Sequence, residues 1–366
     1  MTARIPAEAA SRSEPAPAAW DAAVEANPLG SYLQLSGWAR VKAVNGWTVR
    51  RLHDPDAGVG AQVLLRRPGP LPWAFAYAPR GPILGTWDPD AIERLTELSR
   101  AGLREGIRAS HLRIDPEIEL GAGRDEGGAV TDALRAAGWR PAPAIQPMAT
   151  RVIDLAPDEA ALWSDLRKKW RQYVNKARTG GVTVVDAGGD RLAEFYRIYR
   201  ETADRAGFLI RAESAYRDVW DAYAPDGRAR LLFAQLPDGT PVATLFLVRA
   251  GSRVVEPYGG MTEAGADSRA NYLLKWEALA SSKAQGATSY DLWGLAHAGI
   301  DHFKTGFGGR EVRYIGAWDL VLDAFGRRTY TVAQRARVRV ERMRHGLRGA
   351  GGQTAAGYGG DAGGDA

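Results

Sequence analysis

The apolar positions of this chain switch repeatedly between a helical and a strand-like period. Residues 20–43 predict two short helical pieces around an Asn27-Pro28-Leu29-Gly30 turn. The second carries Leu35, Trp38, Ala39 and Lys42 at helical spacing, with Gly46 as its stop. Three strand-like runs follow at 47–52, 60–66 and 73–78, the first two joined by the turn Asp54-Pro55-Asp56-Ala57-Gly58. After Tyr77 the segment APRGPILG reads as extended and pinned by Gly and Pro. Asp88 caps a predicted helix from Pro89 to about residue 105, with Ile92, Leu95 and Leu98 on one face. Strand 110–114 then ends in Asp115-Pro116, and 129–137 predicts a short helix ended by Gly138.

The second half keeps this order. One helix is predicted over 158–178, stopped by Gly180-Gly181, then helices over 192–206 and 214–223. Strands 230–235, 242–249 and 253–258 meander through Asp238-Gly239 and Ala250-Gly251-Ser252 turns. A helix over 268–284 leads to strand 289–293. Each half therefore runs strands, a Tyr (77 or 258), a Gly-containing loop, a helix, and a strand carrying an Asp (115 or 291). This order predicts an α/β (α+β) chain of two similar halves facing each other: 18–147, completed by 318–348, and 148–317. Residues 1–17 and the Gly-rich 349–366 read as a disordered lead and tail.

Composition narrows the chemistry. At 366 residues the chain suits about two domains, and its 45% hydrophobic content supplies ample core. It has no cysteine, which excludes disulfides, thiolate metal sites and Cys nucleophiles. The five His show no metal-ligand spacing, and neither a metal nor an organic cofactor is expected. No run approaches the roughly 18 apolar residues that a membrane-spanning helix needs. The lead has no apolar h-region, so a cytoplasmic protein is expected. Net charge is +5 and the isoelectric point about 9.4, which favours polyanionic partners. The charge is concentrated in two places. The helix around 166–178 crowds Arg167, Lys168, Arg171, Lys176 and Arg178 beside an apolar face, and 327–348 carries eight Arg against the single acid Glu341. Such helices read as solvated faces or as phosphate-tracking surfaces, and the second also as a contact for anionic lipid headgroups.

The stretch 290–309, YDLWGLAHAGIDHFKTGFGG, opens as a strand and ends with Lys304 set between Phe303 and Phe307 among glycines. On residue types it is a loop, and its Lys either faces water or is held in place by the rings. It resembles the H-F-K-xx-F-G stretch of the Fem-type (FemABX) peptidyltransferases, which use aminoacyl-tRNA to extend the stem peptide of peptidoglycan precursors. Five further stretches resemble family motifs in the family's order. They are the Gln34-to-Lys42 helix, Tyr77-Ala78-Pro79-Arg80-Gly81-Pro82, Arg113-Ile114-Asp115-Pro116, Gly207-Phe208 through Arg211 to Tyr216, and Tyr258-Gly259-Gly260.

The resemblance implies two acetyltransferase-like (GNAT-like) domains. No long heptad hairpin interrupts the second, so the chain resembles the members without a coiled-coil arm. It implies an aminoacyltransferase moving an amino acid from aminoacyl-tRNA to a peptidoglycan precursor, either lipid II or UDP-MurNAc-pentapeptide, to build the interpeptide bridge. Lys42, Arg211, Tyr216 and Tyr258, with Trp38 and Arg80, would hold the precursor, and Arg167, Lys168 and Arg171 the tRNA. Tyr216 stands five residues after Arg211 where the family pattern has four. Lys304 would neutralise charge developing on the ester, Phe303 would help exclude water, and Asp115 would orient or deprotonate the attacking amine. Two other readings stay open. One is an acyl-CoA N-acyltransferase, although the residues after Tyr258 lack a pyrophosphate loop. The other is a non-catalytic tRNA- or lipid-binding protein.

Overall fold

A computed structural model describes residues 14–346 apart from 68, 70, 105, 122–125, 296 and 297. The predicted lead up to residue 13, the tail from 349 and His297 lie outside the described residues.

The chain starts with α1 (Pro17–Ala26) and α2 (Ser36–Ala43), then β1 (Thr48–Asp54), β2 (Val59–Arg66), β3 (Ala74–Ala78) and β4 (Ile83–Leu84). Helix α3 (Pro89–Arg104) leads to β5 (Ala109–Ile114), followed by α4 (Glu126–Ala136) and β6 (Trp139–Ala142). A second unit spans Gln146–Arg313. It contains β7 (Ala149–Asp154), α5 (Glu159–Asp165), α6 (Lys168–Thr179), β8 (Thr183–Ala187), α7 (Leu192–Ala206) and α8 (Glu213–Tyr223). There follow β9 (Ala229–Gln235), β10 (Pro241–Ala250), β11 (Arg253–Met261), α9 (Glu263–Asp267), α10 (Ala270–Ala284), β12 (Ser289–Asp291), α11 (Ala298–Thr305) and β13 (Arg310–Arg313). The chain then returns to the first unit with β14 (Ala317–Val321) and α12 (Ala324–Gly346).

Among the described residues each unit holds one seven-stranded sheet. The first has the order β1-β2-β3-β5-β14-β6 with β4 on β2, and the second β13-β7-β12-β11-β10-β9-β8. In the first unit the β1-β2-β3 meander is antiparallel, and β3 pairs parallel to β5 across the α3 crossover. In the second, β9-β10-β11 is the meander and β11 pairs parallel to β12 across α10. Parallel neighbours need a long crossover, and a helix supplies it in both units. Both are mixed α/β units, and the described residues contain no coiled-coil arm. Each has its own core, around Leu95, Leu112 and Trp139 in the first and around Trp170, Leu274 and Phe307 in the second. No described helix is long and apolar enough to cross a membrane.

Three expectations are corrected. The single helix over 158–178 is two helices, α5 and α6, because Leu166 and Arg167 turn extended (ψ 137° and 140°). Tertiary bonds pull the break open: Arg167 N donates to Gly306 O (2.9 Å), and the Asp165 carboxylate accepts from Gly309 N (3.0 Å). The helix expected from Ser268 starts at Ala270 instead, because Arg269 adopts φ 62° and separates it from α9. Lys304 lies on helix α11, not in a loop.

Candidate functional site

In the first unit the motif residues close on one another. Helix α2 places Lys42 over the Trp38 ring, with Nζ 4.7 Å from its centre, and both side chains are 2% exposed. A cation over an aromatic face is attracted by the ring quadrupole. At the β3 and β5 strand ends, Asp115 accepts from the Tyr77 hydroxyl and from Arg80 N, each at 2.6 Å. Arg80, at φ 50°, pairs with Glu117 (3.2 Å) and lies 4.7 Å from the centre of the Tyr314 ring. Both Asp115 oxygens are thereby engaged inside the unit, the arrangement of an anchor for the Arg80 loop.

The second unit is built differently around the corresponding strand end. Asp291, the last residue of β12, accepts from Thr150 Oγ1, from Arg253 Nη2 and from Trp293 N (2.7 Å). These bonds hold a left-handed turn in which Trp293 has φ 51° and Gly294 φ 41°. The turn aims both residues' carbonyls at one point, where the Lys304 ammonium donates to Trp293 O and, at 2.7 Å, to Gly294 O. Lys304 is only 6% exposed, which rules out the reading in which it faces water. Burial pushes its pKa down to about 7, with Lys275 lowering it further and Glu256 and Asp291 opposing.

Lys275 and Glu256 form a buried ion pair, and the Tyr290 hydroxyl donates to the other Glu256 oxygen at 2.8 Å. Lys275 also lies over Phe303 and Phe307, 5.5 and 5.9 Å from the ring centres. A buried pair of this kind gains little stability over apolar residues of similar volume. Sequence analysis passed over both residues. The available signal was a charge inside an apolar run: Glu256 after Val254-Val255, and Lys275 between Leu274 and Trp276.

Above this floor opens a cavity of about 380 Å³, lined by Tyr199, Phe208, Leu245, Tyr272, Ile300 and Phe303 as well as Glu256, Lys275 and Lys304. Gly259 and Gly260 also line it, and side chains there would run into Leu245 and Thr202, so the close approach of β11 requires glycine. Beside the cavity the structure gathers Arg211, Tyr216 and Tyr258. The Tyr216 and Tyr258 rings meet edge-on at 5.0 Å, and the Tyr216 hydroxyl accepts from Arg211 N at 3.3 Å. Burial pushes both phenols up, while the Arg211 charge pulls Tyr258 the other way. Tyr199 joins this cluster to the cavity, its ring 6.1 Å from that of Tyr258.

The basic helix packs on the Lys304 segment directly. The Trp170 indole donates to Phe303 O at 3.0 Å, and any side chain at Gly306 would collide with that indole. Arg167 and Lys168 are exposed at its start, and Arg167 reaches His302 at 3.3 Å. Arg171 differs, since its guanidinium turns back to the Ser164 carbonyl (2.8 Å) and caps the end of α5. Among the described residues no three His, Asp or Glu are grouped to hold a metal ion.

The chain is 26% identical over 385 residues to a lipid II:glycine glycyltransferase of Staphylococcus saprophyticus, covering 84% of this chain and 92% of that one. The Staphylococcus aureus protein of the same name is 23% identical, covering 83% and 91%. The crystal structure of FemX superposes with a TM-score of 0.79 over 87% of this chain and 98% of its own, at 22% identity. The FemAB family model matches residues 17–238 and 235–335, nearly all of the described chain, and the chain belongs to the FemAB family.

Proposed function

We propose that the protein is an aminoacyltransferase that moves an amino acid from aminoacyl-tRNA to the stem-peptide amine of a peptidoglycan precursor, building the interpeptide bridge. The observation that carries this reading is Lys304, a buried cation fixed by two carbonyls at the floor of an aromatic-walled cavity. The relatives named as lipid II:glycine glycyltransferases support the substrate class. An aminoacyl ester is already activated, so the enzyme has to position an amine and stabilise the oxyanion. The amine nitrogen bonds to the ester carbon, the carbon–oxygen bond to the terminal ribose breaks, and the ribose oxygen takes up a proton as the amine loses one. Lys304 offsets the negative charge on the carbonyl or leaving oxygen. Phe303 and Tyr272, whose rings stand 5.2 Å apart, keep water from the ester.

Arg211 with Tyr216 and Tyr258 supplies precursor contacts beside the cavity, and Lys42 on Trp38 supplies an anion contact in the first unit. Arg167 and Lys168 meet tRNA phosphates. Such an enzyme works in the cytoplasm, at the inner membrane face when the precursor is lipid-linked. The test is transfer by the purified chain from charged tRNA to lipid-linked and to nucleotide-linked precursor. Transfer to either supports the reading, and the preferred form names the substrate. No transfer from any charged tRNA to either form contradicts it.

A further inference from the structure

Helix α12 is anchored mainly through one face, with the Phe325 ring at its start also 5.4 Å from that of Trp73. Arg327 donates through Nη2 to Asp319 at 2.6 Å, and Tyr330 packs on Phe75 and His111 with ring centres 5.0 and 4.9 Å away. These contacts turn the opposite face outward. On it Phe325 and Val332 are 69% and 60% exposed, one heptad apart, with Ala333 and Ala336 exposed beside them. Arg328, Arg335 and Arg339 flank this apolar strip and are also exposed. From 324 to 346 the sequence has seven Arg against one Glu. Val340 and Met343 continue the apolar spacing in sequence, and their side chains lie outside the described ones.

We infer that this face of α12 docks the protein on an anionic lipid surface, with Phe325 and Val332 entering the headgroup boundary and the flanking arginines on lipid phosphates. The mixture decides between the two polyanions. A nucleic-acid surface gains from the arginines and nothing from an exposed Phe and Val, whereas an interfacial helix uses both. Exposed apolar side chains rimmed by charge mark an interaction surface, and the surplus of Arg selects a negative one. The inference rests on the transferase reading only for its biological reason, since a lipid-linked acceptor sits in such a surface.

The test is co-sedimentation of the full chain with vesicles of phosphatidylcholine alone and of phosphatidylcholine with about 30% phosphatidylglycerol. Wild type should bind the anionic vesicles, and less so as salt rises. Arg328→Gln with Arg335→Gln and Arg339→Gln should lower partitioning by on the order of 100-fold. Phe325→Ser with Val332→Ser should lower it by about tenfold. Equal binding to both vesicle types, or a triple variant that partitions like wild type, would overturn the inference. A triple variant that loses tRNA affinity while keeping its vesicle binding would assign the face to nucleic acid instead. Transfer to nucleotide-linked precursor, measured alongside, tests the reaction without the membrane, so the two readings fail separately.

Discussion

The two units run the same course, from an antiparallel meander through a helix to a parallel strand, yet they treat their strand ends in opposite ways. In the first, Asp115 accepts from Tyr77 and Arg80, and Arg80 pairs with Glu117, so these side chains are engaged within the unit. In the second, Asp291 spends its bonds on a turn that points two carbonyls away from the strand, and the space above stays open as the cavity. Ligands of open α/β sheets gather beyond the carboxyl ends of the strands. One topology thus supplies an end tied by its own side chains and an end beside a cavity, to which the proposed chemistry is assigned. Residues at or within three positions of the strand ends make the difference.

The largest effect that separates the ends is on transfer. Lys304→Met keeps most of the stem and removes the charge, and single-turnover transfer should fall by roughly 10²–10³, as when one oxyanion donor is lost. Asp115→Asn should instead lower the melting temperature and leave transfer within a few-fold of wild type. If Asp115→Asn abolishes transfer in a protein that melts like wild type, the first unit's end is not merely an anchor.

A pH profile sharpens the contrast next. The kcat/KM for charged tRNA reports free-enzyme groups. The charged form of Lys304 is needed and its pKa is near 7, so activity should fall as pH rises through that value. Lys275→Met removes a like charge and leaves Glu256 as a counter-charge, moving this alkaline limb to higher pH by about one unit. Glu256→Gln should move it to lower pH. Limbs that shift together, or not at all, would make the pair a structural feature only.

Much of this contrast was legible in the sequence. Tyr77, Asp115, Tyr258 and Lys304 stand in local motifs, and the alternation of strands and helices gave both crossovers. The remainder depends on contacts that no local pattern encodes. Leu166 and Arg167 are good helix formers, and only bonds to Gly306 and Gly309 break the helix there. Glycines on either side of 300–305 made α11 look like a loop. Strands β7 and β13 carry charges and little alternation, and pairing with each other gives them their place. The Glu256–Lys275 pair spans the interior of β11 and helix α10, so each residue alone looked like an oddly placed charge.

Smaller effects concern substrates. Arg211→Ala should raise the KM for precursor about tenfold with tRNA binding unchanged, as for loss of one charge-assisted contact. Arg167→Gln with Lys168→Gln should weaken tRNA binding and reduce the slope of log affinity against log salt by about two. Arg171→Gln, which loses a cap to Ser164, should leave that slope alone and lower the melting temperature slightly. An unchanged slope in the double variant would make the start of α6 a solvated face.

The central claim is that a positive charge at position 304 carries the transfer. The chain has no cysteine, so Lys304→Cys creates a single reactive thiol. Aminoethylation then rebuilds a lysine-like ammonium at that one place, while methylthiolation fills the space without charge. Single-turnover transfer should be lost in Lys304→Cys, return to within about tenfold of wild type after aminoethylation, and stay lost after methylthiolation. Transfer near the wild-type rate in Lys304→Cys itself, or equal recovery with the neutral group, would contradict the account.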